Sequence, residues 1–213
     1  MHWKGYLTEQ AVLNQSSELG ESTVIEALRA ATRSLHANLG SSPAMSRLFA
    51  CDYTVSEYRV HLGRLLGFLE PLEIAASRHD KTEASPVAIQ RSVDLRKDLR
   101  SMGATATDID ALERCSMLPS ISRSGLLGYT YVILGSTLGA KVIVQQLRGV
   151  LGPGASFCFY GDEDGRYQAE WASFRSDLEE NGRNDIGAIC ATAVGVFNAY
   201  AAWFSEPRLR IGG

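Results

Sequence analysis

The sequence predicts an all-α protein, a single-domain helical bundle, on three observations. Apolar residues recur at helical spacing along most of the chain. Capping-box patterns, Thr23-x-x-Glu26 and Thr54-x-x-Glu57, open two of these apolar-periodic segments. No segment shows the sustained apolar/polar alternation and β-branched enrichment that a sheet needs. A chain of 213 residues, 45% hydrophobic and 21% charged, suits one domain with a substantial apolar core.

Thr23 opens the first helix, 23–39, and a short helix follows at 43–50. Thr54 opens a long helix at 54–79, bent at Pro71, where a backbone donor is missing. Helices at 87–102 and 107–115 come next, the first ending at Gly103. A long helix spans 122–148, with Gly149 at its end. Gly152, Pro153 and Gly154 mark a loop, and the short apolar run SFCFYG behind it reads as extended chain or a single turn. Helices at 165–181 and 184–205 complete the domain, which runs from 22 to 206. Residues 1–21 are expected to be a loose polar leader and 207–213 a tail.

Bulk chemistry narrows the function. A net charge of −3 and a pI near 5.8 give no reason to expect nucleic acid or an anionic membrane as partner. Cys51, Cys115, Cys158 and Cys190 are far apart, without a CxxC pair or metal-like spacing, and read as reduced thiols. The start, MHWKGYLTEQ, lacks the pattern of a secretory signal, so a cytoplasmic protein is expected. Ile186–Phe204 carries no charge over nearly spanning length. It is rich in Ala and Gly and contains Thr192 and Asn198, so a buried bundle helix explains it better than a membrane span.

Two segments carry unusual chemistry. At about 100° per residue, Ile25, Leu28, Thr32, Leu35 and Leu39 form one stripe roughly 80° wide. His36 lies roughly 20° past one border of that stripe, with Arg29 and Arg33 further around the same side. An imidazole thus sits at the margin of the core beside two cations, which disfavour imidazolium and keep a ring lone pair free for a metal. The arginines would also pair with carboxylates on whatever carries that metal. A boundary histidine beside solvated arginines is the plainer reading. The second segment, 122–148, holds Gly125, Gly128, Gly135 and Gly139, each costing a helix interior about 1 kcal/mol relative to alanine. Gly128, Gly135 and Gly139 share a face. A bare face admits either a close-packed helix or a flat ligand, and clustered glycines let a helix bend.

LRAATRSLHANL at 28–39 resembles the first-helix motif of haem oxygenases, and GYTYVILGSTLGAKVI at 128–143 resembles their distal helix. The likeness extends more loosely from about residue 24 to 205, including YRVHLGRLLGFLEPLE at 58–73. Ser136 after the first distal glycine resembles the bacterial group associated with bacteriophytochromes.

The resemblance implies an enzyme that opens haem with O2 and electrons to give biliverdin, CO and iron, haem being both substrate and cofactor. It makes His36 the proximal iron ligand. Arg29 and Arg33 fall on basic positions that serve the propionates. Gly135 and Gly139 match the distal glycines, and Ser136 takes the place of an aspartate that orders distal water. Phe174-Arg175-Ser176 resembles the stretch whose arginine approaches a propionate, and Asn198 matches an asparagine of the water network. Electrons must come from an external reductase or ferredoxin, since the chain has no flavin motif, and a bacteriophytochrome is the implied bilin acceptor. The sequence departs from the family in four places. Gly40 stands for a glutamate that bonds the proximal histidine, Leu134 for a glutamate, Ala140 for a third distal glycine and Trp171 for a propionate-side lysine.

Three alternatives compete with this reading: a haem carrier or sensor without turnover, a thiaminase-like or di-iron protein, and a purely structural helical module. A di-iron bundle needs Glu-x-x-His pairs. None of His2, His36, His61 and His79 has a glutamate three residues before it.

Overall fold

Both predicted capping boxes close. In the computed structural model, which describes residues 23–79, 90–152, 155–161 and 165–205, the Glu26 N–H donates to Thr23 Oγ1 and the Thr23 N–H to Glu26 at 3.0 Å, opening α1 (Val24–Gly40). The N-terminus of α1 is fixed further by Glu179, whose carboxylate accepts from the N–H groups of Val24 and Ile25 at 3.1 and 2.9 Å. Ser42 caps the short α2 (Pro43–Leu48), and the Thr54–Glu57 exchange opens α3 (Val55–Ser77). The remaining helices are α4 (Arg91–Ser101), α5 (Ala106–Asp110), α6 (Leu126–Thr137), α7 (Ala140–Leu151), α8 (Arg166–Asn181) and α9 (Ile186–Ser205), the last entered through a 3-10 turn at Arg183–Asp185. No strand occurs among the described residues, so the fold is all-α. The expected leader and tail, and the first residues of the expected helix 87–102, lie outside the described residues.

Two expectations are corrected and a third, left open, is decided. The helix expected over 122–148 is two helices, parted at Leu138–Gly139. There the hydroxyls of Ser136 and Thr137 donate to the carbonyls of Ile133 and Leu134, both at 2.7 Å. The Leu138 N–H reaches back only three residues, to Gly135. Side-chain competition for the ladder and a glycine together break the rod. The helix expected over 107–115 stops at Asp110, because the chain beyond it is pulled across α3. Pro71 has no N–H to give the Gly67 carbonyl, its partner four residues back, and the Cys115 N–H takes that carbonyl at 2.8 Å. Gly67 allows the crossing, since a Cβ there would overlap the Glu113 carbonyl oxygen. The run SFCFYG is a turn at 158–160, the second of the two forms its sequence allowed.

That turn is held by α4. Asp98, fully buried, accepts from the N–H groups of Cys158 and Phe159 at 2.7 and 2.9 Å and from the Ser156 hydroxyl at 2.5 Å. Arg91, at the start of the same helix, donates to the Phe159 carbonyl and to the Tyr167 hydroxyl, its guanidinium lying over both rings. Glu73 of α3 accepts from the N–H and hydroxyl of Ser92 and so caps α4 from outside.

Helix α9 packs on α1 and α6, α3 on α4, and α8 on α6 and α1. Two apolar clusters result. The larger centres on α3, α4, α7 and the 157–160 turn, and the smaller gathers Val24, Ile25, Leu28, Leu134, Phe174, Leu178 and Ile189. Leu126–Leu151 and Arg183–Ser205 are each apolar and long enough to cross a membrane. In the fold the first is interrupted at Leu138–Gly139, and the second lies against α1 and α6.

Candidate active site

A cavity of about 220 Å³ opens where the two clusters meet. Its walls are mostly apolar side chains, among them Leu65, Phe68, Ile133, Ile143, Val196 and Phe197. Helix α1 presents Arg29 and His36, seven residues apart and therefore on one face, and ends in Gly40 at the cavity wall. Of the expected α1 stripe, Ile25, Leu28 and Thr32 are buried, whereas Leu35 and Leu39 are half-buried, Leu39 beside the open space.

His36 is half-buried, its ring edge-on to Phe197 at 6.2 Å. Burial lowers its pKa and favours the neutral imidazole. The cause is desolvation, not the neighbouring arginines as the sequence suggested. No side chain among the described residues hydrogen-bonds this ring, in keeping with the missing acid at Gly40.

The α6–α7 break supplies another wall, with Gly135, Ser136, Leu138 and Gly139. The Ser136 hydroxyl spends its proton on the Ile133 carbonyl and keeps its oxygen as an acceptor. A Cβ at Gly135 would lie 3.8 Å from the Trp171 ring, an ordinary contact, so no packing constraint demands glycine here. Gly125 and Gly128 are the opposite case. A side chain there would overlap the Thr192 hydroxyl or the Ile189 carbonyl of α9, so close helix packing accounts for them. The bare face is divided between the two readings the sequence left open.

Helix α8 contributes Arg175 and Trp171 to the cavity. The structure therefore brings together Arg29, His36, Gly135, Ser136, Gly139 and Arg175. It does not bring in the other two candidates: Arg33 and Asn198 are exposed and line no part of the cavity. One turn separates Arg33 from Arg29 along α1, but about 40° separates them around it. On α9 it is Val196, Phe197 and Tyr200 that face inward.

Sequence reasoning missed Arg91, Tyr160 and Tyr200, which also line the cavity. Arg91 lies in RSVDLRKDLR, where nothing separates it from solvated neighbours; its partners Phe159 and Tyr167 are about 70 residues away. Tyr160 had a visible signal, the aromatic cluster FCFY, without a partner to read it against. Among the described residues no group of three or more His, Cys, Asp or Glu could hold a metal ion, as the di-iron alternative requires.

Fold and cavity define a class: an all-α protein with an internal cavity carrying one histidine, flanking arginines and bare backbone. Residues 22–206 match the family model described as heme oxygenase, and the chain belongs to that family. Family membership implies haem binding and haem degradation. No curated protein matches the chain.

Proposed function

We propose that the chain is a haem oxygenase of the bacterial, bacteriophytochrome-associated type, opening haem to biliverdin, CO and iron. The observation that carries the reading is the meeting of His36 and Arg29 of α1 with Gly135, Ser136 and Gly139 of the α6–α7 break in one cavity. The donor set suits haem: one neutral imidazole for the iron, apolar walls for the macrocycle and two arginines, Arg29 and Arg175, for the propionates.

The chain's own residues would act as follows. His36 would hold the haem iron, with no acidic partner to raise its basicity. Gly135 and Gly139, without side chains, would leave room for the macrocycle at the α6–α7 break. Ser136 accepts a hydrogen bond from water and so holds a proton source beside the reacting carbon. The apolar lining excludes bulk water. Bound haem supplies the iron chemistry that activates O2. Arg29 and Arg175 fix the in-plane rotation of the ring, and with it the carbon that is cut. Electrons come from an external reductase or ferredoxin, the bilin passes to a bacteriophytochrome, and the protein works in the cytoplasm without membrane or nucleic acid.

Hemin added to the purified protein should give a Soret band, and ascorbate under air should then bleach it while a bilin band grows. A Soret band that persists with reductant and O2 would replace the enzyme with a haem carrier or sensor. No Soret band would reject haem binding.

A further inference from the structure

Tyrosine hydroxyls gather at one end of the cavity wall. Tyr160 is 7% exposed, and its hydroxyl lies 2.7 Å from Nε2 of the buried His61. Of the two neutral tautomers of His61, the one protonated on Nε2 donates to the phenol oxygen and leaves the phenol proton for a ligand, and the site uses that one. The Tyr200 hydroxyl has no hydrogen-bond partner among the described residues. Both tyrosines line the cavity.

This end is mismatched to haem. Both haem carboxylates sit on one edge of the macrocycle, and the more exposed Arg29 and Arg175 would take them at the mouth. The edge that reaches inward carries only methyl and vinyl groups, which accept no hydrogen bond. A buried donor without an acceptor is costly. Ring opening changes the match, because the two ends of the opened chain each gain a carbonyl oxygen.

We propose that Tyr160 and Tyr200 form a product-recognition site that donates hydrogen bonds to the terminal carbonyl oxygens of an open-chain tetrapyrrole. His61 is the positioning residue that orients the Tyr160 hydroxyl. The inference rests on the haem oxygenase reading above and adds to it a set of residues that distinguish product from substrate.

Hemin and biliverdin titrated separately onto the parent protein, Tyr160→Phe and Tyr200→Phe test it. Each substitution removes one hydroxyl and keeps the ring. The ratio of the biliverdin to the hemin dissociation constant should rise by about 2–10-fold in each variant, the range of one net hydrogen bond. If Tyr160→Phe does not fold, Tyr200→Phe decides alone. Equal weakening of both ligands, or a fixed ratio, would mean that these groups hold water or only pack, and would overturn the site. A parent that binds hemin while the ratio stays fixed leaves the haem oxygenase reading intact. A parent that does not bind hemin removes both.

Discussion

His36 and Arg29 share a face of α1, and their separate contributions can be measured on the hemin complex. His36→Ala should retain a cavity but lose the axial ligand, giving weaker hemin binding and a shifted Soret band that added imidazole partly restores. An unaltered spectrum would reject the assignment. Arg29→Glu should weaken hemin by about tenfold or more and broaden the set of bilin isomers, since a hydrogen bond to a charged group is worth roughly 1.5–3 kcal/mol. Arg33→Glu, off the cavity, is the comparison; equal losses in the two variants would show a general charge effect. These residues were legible in the sequence because helical spacing alone puts 29 and 36 on one side. Asn198, put forward by resemblance, lies outside the cavity lining. One residue along a helix turns the side chain by about 100°, enough to exchange the cavity-lining Phe197 for the exposed Asn198. Arg91 and Tyr160 could not be read locally, since what buries them lies far along the chain.

At the level of elements, the glycines of α6 separate packing from binding. Gly128→Ala should destabilise the apoprotein by about 1–3 kcal/mol, because the new methyl overlaps the α9 backbone. Gly135→Ala should leave apoprotein stability equal or slightly higher, alanine being the better helix former, yet weaken hemin by occupying its space. Thermal unfolding and hemin titration on the same preparations read both effects. A stability loss at Gly135 with normal hemin binding would return that glycine to helix packing. Six of the eight predicted helices matched in position because caps and apolar spacing are local signals. The errors at 107–115 and 122–148 have non-local or side-chain causes: a carbonyl freed by Pro71 and taken by Cys115, and two hydroxyls competing for the α6 ladder.

For the molecule as a whole, two buried groups shape stability against pH. Burial pushes the Glu73 carboxyl up to about 7 and pushes His61 down to about 4, the latter helped by Arg64. Glu73 has a folded pKa above its unfolded value. Its stabilising protonated form is fully effective below about pH 4.5 and is lost as pH rises through 7. His61 has a depressed folded pKa, so its contribution is complete above about 6.5 and is lost as pH falls through 4. Between about 4.5 and 6.5 the two slopes oppose each other. Glu73→Gln, which can keep the bonds to Ser92, should therefore gain stability relative to the parent as pH rises from 4.5 to 7, by at most about 3 kcal/mol. Urea unfolding at several pH values gives the difference curve, and a flat curve would show that Glu73 titrates normally.

The turn at 158–160 carries a kinetic consequence. Its backbone donors are taken by Asp98, 60 residues earlier, and its carbonyl by Arg91, 68 residues earlier. Helices such as α1 and α3 are opened by capping bonds between residues three apart and can form in the first microseconds of folding. The inner wall of the cavity closes only after two distant stretches of chain have met, with the loop entropy already lost. Helix formation therefore precedes completion of the chamber, and a nascent chain can be helical before it has a finished place for haem.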